Sequence, residues 1–363
     1  MSPYKKFLRN FALISAGISI FIISFCIIAD PYEIWNIYPR QGLNLYSFRG
    51  VHIERLTKPM NFILRHTDDK AIIIGSSRSD FCFSPVTWEN LTGNTTYNFS
   101  VASSAIHEEL KYFEYALEHN QNIKEVILCV DFFSFVDNPE RQILKSLPPF
   151  DENKFGKFLS TLQDLQKILF SWESVKDSVI NIQKNYTESP NYRCHDLNGK
   201  FSEGHILAHS SVEDSKFFGI MKLWNNSYDF STVELLEDSL KDFQRITELC
   251  RENNIKLYVC ILPLYPSHYE CFNPCWNIYD DWKIKLASIF PAYDFTCFDE
   301  NLVDRKNFWD TSHAKLILGD KILKSIHSGN LEFGEIITPE NVQNHNAEIT
   351  RQREIWRSKN LNK

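Results

Sequence analysis

Gly75-Ser76-Ser77-Arg78 and, far downstream, Asp310-Thr311-Ser312-His313 are the two stretches whose residue types could do chemistry together. A serine hydroxyl becomes a useful nucleophile when an imidazole takes its proton, and the imidazole in turn needs a carboxylate to fix its tautomer. Asp310 and His313 are three residues apart, so a single turn can bring both to one rim. A serine at a tight strand exit presents its hydroxyl and offers its own backbone N–H to a developing oxyanion. Each piece alone has a plainer reading: a serine after a strand-terminal glycine is a common turn residue, and Asp-x-x-His is a common helix-start pattern. Their occurrence in this order favours a Ser-His-Asp triad, with Ser76, Ser77 and Ser79 as the available hydroxyls.

Such a triad needs a sheet to hold it. Lys70 to Ile74 reads as a short buried strand that stops at Gly75, and Ser84-Pro85 opens a helix with proline at its first position. Tyr97 to Phe99 is a second strand. Ser104 is placed to cap a helix whose Ile106, Leu110, Phe113 and Leu117 share one face. Glu125 to Asp131 is an apolar strand of the kind a parallel sheet buries on both faces. Residues 138–230 break the alternation and read as a largely helical insertion, a lid or a substrate platform, with helices around 155–184 and a polar stretch through Pro190 and Gly199. Ser231-Thr-Val-Glu234 matches a capping box for a helix burying Leu236, Leu240, Phe243 and Ile246; the strand Ile255 to Leu262 follows. A last helix runs from Ala314 to about Ile326, and the tail 333–363 is polar and helical near its end. Alternating strands and helices predict an α/β fold with a parallel sheet. Sites on such sheets lie at the carboxyl ends of strands, which singles out Gly75–Arg78, Ser100–Ser104 and Asp131.

The first thirty residues set the compartment. Lys5, Lys6 and Arg9 precede a run from Phe11 to Ala29 with no charged residue. Nineteen helical residues rise roughly 28 Å, enough for the hydrocarbon core of a bilayer. Positive-inside bias makes 1–10 a cytosolic stub and 11–29 a transmembrane signal anchor, with the rest outside; 30–68 is a juxtamembrane connector and 69–332 the α/β domain. In an oxidising space Cys271 could pair with Cys275 or with Cys297. Cys271, Cys275 and His268 lack a fourth zinc ligand, and His205-x-x-x-His209 has metal spacing only if helical, so no metal or cofactor is expected. His107 and His268 read as structural. A net charge of −7 without a basic stripe excludes nucleic acid as a partner.

Gly75-Ser76-Ser77 followed by the late Asp310-x-x-His313 resembles the SGNH/GDSL hydrolase superfamily. Its Gly-Asp-Ser motif carries the nucleophile and its late Asp-x-x-His supplies the other two members. The resemblance therefore selects Ser77 as nucleophile, His313 as base and Asp310 as its orienter, with Ser76 in place of the motif's Asp. That replacement is similar to the branch holding the teichoic-acid D-alanine transfer and alginate O-acetylation proteins. The anchor ending in Asp30-Pro31-Tyr32, with IIIGSSR, ILCVDFFSF and WDTSHAKLILG, looks like anchored bacterial members of this group. The resemblance covers about 30–330 and implies a three-layer α/β/α fold. It implies an extracytoplasmic esterase or O-acyltransferase that acts on an acylated saccharide or acyl donor, with room for a membrane-bound acyl-transfer partner. The superfamily's oxyanion Gly is absent around Ala102 and Ser103, and Asp131 stands where its Asn would be, so Asp131 is expected to hold Arg78 or a structural N–H instead. A non-catalytic anchored subunit that binds a glycan or acyl carrier is the competing expectation.

Overall fold

A computed structural model describes residues 2–37, 39–45, 54–136, 163, 165–187, 198–201, 217–219, 221–223, 230–298 and 304–360. Its elements begin with α1 (Pro3–Ala29), α2 (Glu54–Arg65), β1 (Ala71–Ile74), α3 (Ser77–Cys82), α4 (Pro85–Thr92), β2 (Thr96–Asn98), α5 (Ile106–His119) and β3 (Glu125–Cys129). They continue with α6 (Trp172–Thr187), α7 (Glu237–Glu252), β4 (Lys256–Ile261), α8 (Trp276–Ile289), β5 (Ala292–Asp294), α9 (Leu316–Ser328), β6 (Glu335–Ile337) and α10 (Val342–Asn360). The chain forms two compact units, residues 1–60 with 146–195 and residues 61–145 with 196–363.

In the first unit α1 is long and apolar enough to cross a membrane. It ends at Asp30, which takes the left-handed conformation and turns the chain back. The Asp30 carboxylate accepts the N–H groups of Ile34 (2.9 Å), Trp35 (3.2 Å) and Asn36 (2.7 Å), so Asp30 closes the turn that follows the helix. Tyr32, Ile34 and Ile168 form a small apolar cluster beyond it.

The second unit is mixed α/β around a six-stranded sheet of order β2-β1-β3-β4-β5-β6. The first five strands are parallel; β6 runs antiparallel to β5. β1 is buried throughout, as the continuous Ala71-Ile-Ile-Ile74 run requires of a strand covered on both faces. On one side Ile73, Ile127, Tyr258 and Cys260 pack against Phe83 and Trp88 near α4 and against Leu318 and Ile322 of α9. Helices α5 and α7 pack on each other, and they contact β1 and β4 respectively.

Several local expectations change. The helix after Glu234 opens at Glu237 with no side-chain cap, because Leu235 forms a bridge with Val136 and holds this stretch extended. Ser104 does not cap α5; its hydroxyl donates to the Gly75 carbonyl at 2.9 Å instead. Cys271, Cys275 and Cys297 are separate buried thiols, so no pairing among them forms; burial pushes Cys271 up to about 12 and Cys275 up to about 11. Most of the 138–230 insertion, including Cys194, His205 and His209, lies outside the described residues.

The polar tail is part of the sheet unit, carrying β6 and α10. It is tied in by a buried charge cluster: Lys283 Nζ lies 2.7 Å from Asp294, His345 Nε2 lies 2.9 Å from the same carboxylate, and His345 Nδ1 lies 2.9 Å from Glu335. Burial alone would raise the Asp294 carboxyl, but Lys283 and His345 hold it well below the ordinary range. A depressed carboxyl adds stability that is complete above its unfolded pKa, about 4, and is lost as pH falls below that. Asp294→Asn strands the Lys283 ammonium, so it should cost about 3–5 kcal/mol at pH 7. The gap from wild type should close below about pH 4, as read by denaturant titration of the detergent-solubilised chain.

Candidate active site

β1 leads straight into Gly75, which sits in a space with no room for a side chain. A Cβ on Gly75 would sit 2.5 Å from Ser79 Oγ and 2.8 Å from the Cys129 carbonyl oxygen. The chain then turns directly into α3, capped by Ser76, whose hydroxyl oxygen accepts the Arg78 N–H at 3.2 Å. Ser77 is thus the first residue of α3, where a backbone N–H has no acceptor within its own helix. At the far end of this short helix, a Cβ on Gly319 would run into the Cys82 carbonyl, so α9 packs backbone to backbone against α3.

His313 reaches the same place from a turn ahead of α9. Asp310 Oδ1 accepts the backbone N–H groups of Ser312 (2.7 Å) and His313 (2.9 Å), closing the turn. An isolated bridge between Phe308 and Ala314 pins its base. Thr311 anchors its tip: the carbonyl accepts Tyr265 N–H at 3.0 Å, and the hydroxyl meets His268 Nδ1 at 3.0 Å. His268 is fully buried, and burial, with Arg78 and His313 adding to it, keeps it well below the ordinary imidazole range. It is a neutral structural partner of the turn.

The geometry joins the residues picked out by spacing. Ser77 Oγ lies 2.9 Å from His313 Nε2. Asp310 Oδ2 lies 2.8 Å from His313 Nδ1 on the other side of the ring. Burial would raise the Asp310 carboxyl, but His313 and the two backbone N–H groups more than offset this and hold it below its ordinary value. Asp310 is therefore ionised at neutral pH and fixes Nδ1 as the protonated ring nitrogen, leaving Nε2 to accept from Ser77.

Arg78 and Asp131 sit behind this line. Arg78 Nη1 lies 2.6 Å from Asp131 Oδ1, and Arg78 Nε donates to Ser312 Oγ at 3.1 Å. The Ser76 hydroxyl also donates to Asp131. One buried ion pair thus links the exit of β3, the start of α3 and the Asp310–His313 turn. Ser76 is a cap, and Ser79 Oγ donates to the Ser76 carbonyl and lies 2.8 Å from the Ser100 hydroxyl, so neither competes with Ser77 for the imidazole.

At the exit of β2, Val101 N–H donates to the Gly75 carbonyl at 2.9 Å. Ala102 and Ser103 form the turn that follows, with Ser103 in the left-handed region at φ 56°. His107 lies on α5.

Two aromatic rings at the site were not read from the sequence. Phe81 stacks on the His313 imidazole with centroids 4.6 Å apart, and Phe201 stacks on Phe81 at 4.4 Å. Phe81 follows Ser77 by four residues and so shares its helix face, a signal that was available. Phe201 is brought in by the insertion: its N–H donates to Asp80 at 3.1 Å, and Asn98 N–H donates to the Asn198 carbonyl at 2.8 Å. Nothing local in the sequence announces that contact. No family model matches the chain, and no curated protein is significantly similar to it.

Proposed function

We propose that the protein is a membrane-anchored serine esterase or O-acyltransferase of the SGNH type, with a three-layer α/β/α catalytic domain on the extracytoplasmic side. Its substrate is an acyl ester, an acetyl group on an envelope or secreted polysaccharide. The observation that carries this reading is the unbroken line Ser77 Oγ, His313 Nε2, His313 Nδ1, Asp310, with separations of 2.9 Å and 2.8 Å. Ser77 Oγ attacks the ester carbonyl carbon as its proton passes to His313 Nε2. The imidazolium then gives that proton to the departing alkoxide, leaving an acyl-Ser77. Water or a sugar hydroxyl, deprotonated by the same imidazole, attacks the acyl group and restores the serine. Backbone N–H of Ser77 is the first donor to the oxyanion, with the Ala102–Ser103 turn as the source of a second. Lys5, Lys6 and Arg9 keep the amino terminus in the cytosol.

A second reading has its own observation. Asp131, standing where the superfamily has a donating Asn, is a carboxylate that only accepts, from Arg78 and Ser76, and Val101 N–H is spent on the Gly75 carbonyl, so neither offers a hydrogen bond to an oxyanion. That arrangement favours an anchored subunit that binds an acylated glycan or acyl carrier without turning it over. A fluorophosphonate probe separates the two on the detergent-solubilised full chain. The enzyme reading expects covalent labelling of wild type and none of Ser77→Ala. An unlabelled wild type hands the site to the binding reading, and equal labelling of both proteins removes Ser77 as the nucleophile.

A further inference from the structure

α6 packs with its polar side inward. Ser174, Asp177, Ser178, Asn181 and Asn185 are all buried, and their spacing of i, i+3, i+4, i+7 and i+11 puts them on one face. That face is hydrogen-bonded to the end of α1 and the turn after it. Asn181 Nδ2 donates to the Ala29 carbonyl at 2.9 Å, the Tyr32 hydroxyl donates to Asp177 at 2.9 Å, and the Cys26 thiol points at Ser174 Oγ at 3.7 Å. The remaining polar groups are partly satisfied within the helix: Ser178 Oγ donates to the Ser174 carbonyl at 2.7 Å and Asn185 Nδ2 to the Asn181 carbonyl at 2.8 Å.

The outward face sets large apolar and aromatic side chains among the polar Glu173, Lys176 and Gln183. Trp172 is 77% exposed, Val179 52% and Tyr186 82%. They recur every seven residues, which drifts only about 20° per step, so they form one line along the helix. A surface helix of a soluble domain puts its polar stripe outside and its apolar stripe inside. We propose that this line of α6 seats on the lipid bilayer at the boundary between headgroups and acyl chains, beside the point where α1 leaves the membrane.

The occupant follows from what α6 is attached to, and the inference rests on α1 spanning the bilayer. α6 meets α1 at Cys26–Ala29, the last turn of a helix whose Ile14, Ile18, Phe21 and Ile28 are exposed and need lipid around them. The outer surface of α6 at that level faces the same surroundings. Trp and Tyr are the residues enriched at that depth, where an apolar ring body and a polar tip both find partners. Lys176, on the same side and 3.8 Å from the Glu173 carboxylate, can lay its methylene stem along the surface with both charged ends at headgroup level. Three side chains along about 21 Å make a thin line, far short of the area that a stable contact between two copies needs.

Photo-crosslinking in membranes tests this on the full chain. Benzoylphenylalanine is placed at position 172, 179 or 186, and at position 14 of α1 as the anchor control. Each protein is reconstituted into vesicles of phosphatidylcholine and phosphatidylglycerol, irradiated and read by mass. Lipid adducts at 172 and 186, at no less than a third of the yield at 14, are the expected result. Adducts at 14 with none at 172, 179 and 186 overturn the seating while leaving the anchor in place. Crosslinked dimers at 172 or 186 overturn it in favour of a second copy. Loss of the adduct at 14 removes the anchor and, with it, this placement of α6.

Discussion

Replacing His313 by alanine is expected to slow the capture of Ser77 by a fluorophosphonate by about 10³-fold or more at neutral pH. Among the described residues the proton acceptor in line with the hydroxyl is His313 Nε2 at 2.9 Å, since Ser76, Ser79 and Asp131 are engaged with one another, with Arg78 or with the backbone. Without the imidazole, Ser77 keeps its ordinary, weakly nucleophilic hydroxyl. Asp310→Asn should cost less, on the order of 10² or more. Its side chain still fits the turn, but an amide no longer stabilises the imidazolium and can favour the wrong tautomer. Asp310 has a pH dependence of definite sign: His313 and the two backbone N–H groups hold its carboxyl below its ordinary value, so its charge, and the labelling that depends on it, is lost only in acid below the ordinary aspartate range and not near neutrality. Timed labelling of wild type, His313→Ala and Asp310→Asn checks the magnitudes. A His313→Ala variant labelled at the wild-type rate would dissolve the triad.

The parts of this fold that are legible in the sequence are those governed by short-range physics. The Ile72-Ile73-Ile74 run and the Val126–Val130 run had to be strands covered on both faces, and Gly75 ends the first of them at a point where a Cβ would meet Cys129. The spacing of Asp310 and His313 implied one turn, and the turn is closed by the Asp310 carboxylate itself. β6 and α10 were not legible as part of the sheet. Glu335-Ile-Ile337 is too short to show alternation, and α10 is fixed by His345 reaching Asp294, a contact between residues 51 apart. The misplaced cap at Ser231 has the same cause: Leu235 is drawn to Val136, and a long-range bridge outranks a local capping preference worth about 1 kcal/mol. At the site, Phe81 was within reach of helix periodicity, whereas Phe201 depends on an insertion whose path no local pattern encodes.

Arg78→Ala should be the most damaging single change behind the nucleophile, about 3–5 kcal/mol of stability, because it strands the Asp131 carboxylate in the core. Both partners are nearly sealed from water, with side-chain exposures of 6% and 4%. Leaving a buried charge without its partner costs far more than the pair itself contributes. Arg78→Lys should not rescue it. The guanidinium uses two separate edges, Nη1 on Asp131 and Nε on Ser312, and an ammonium is a single point charge that cannot span both. The double change Arg78→Met with Asp131→Leu removes both charges together and should recover much of the lost stability in denaturant titrations. It should not recover labelling of Ser77. Ser312 would lose the donor that fixes its side of the His313 turn, and Ser76 would lose the acceptor that holds the start of α3, so the 2.9 Å contact between Ser77 and His313 would loosen from both ends. Stability regained without labelling would mean that the ion pair is kept for alignment, while an Arg78→Ala loss of under about 1 kcal/mol would mean that Asp131 is far better solvated than its burial implies.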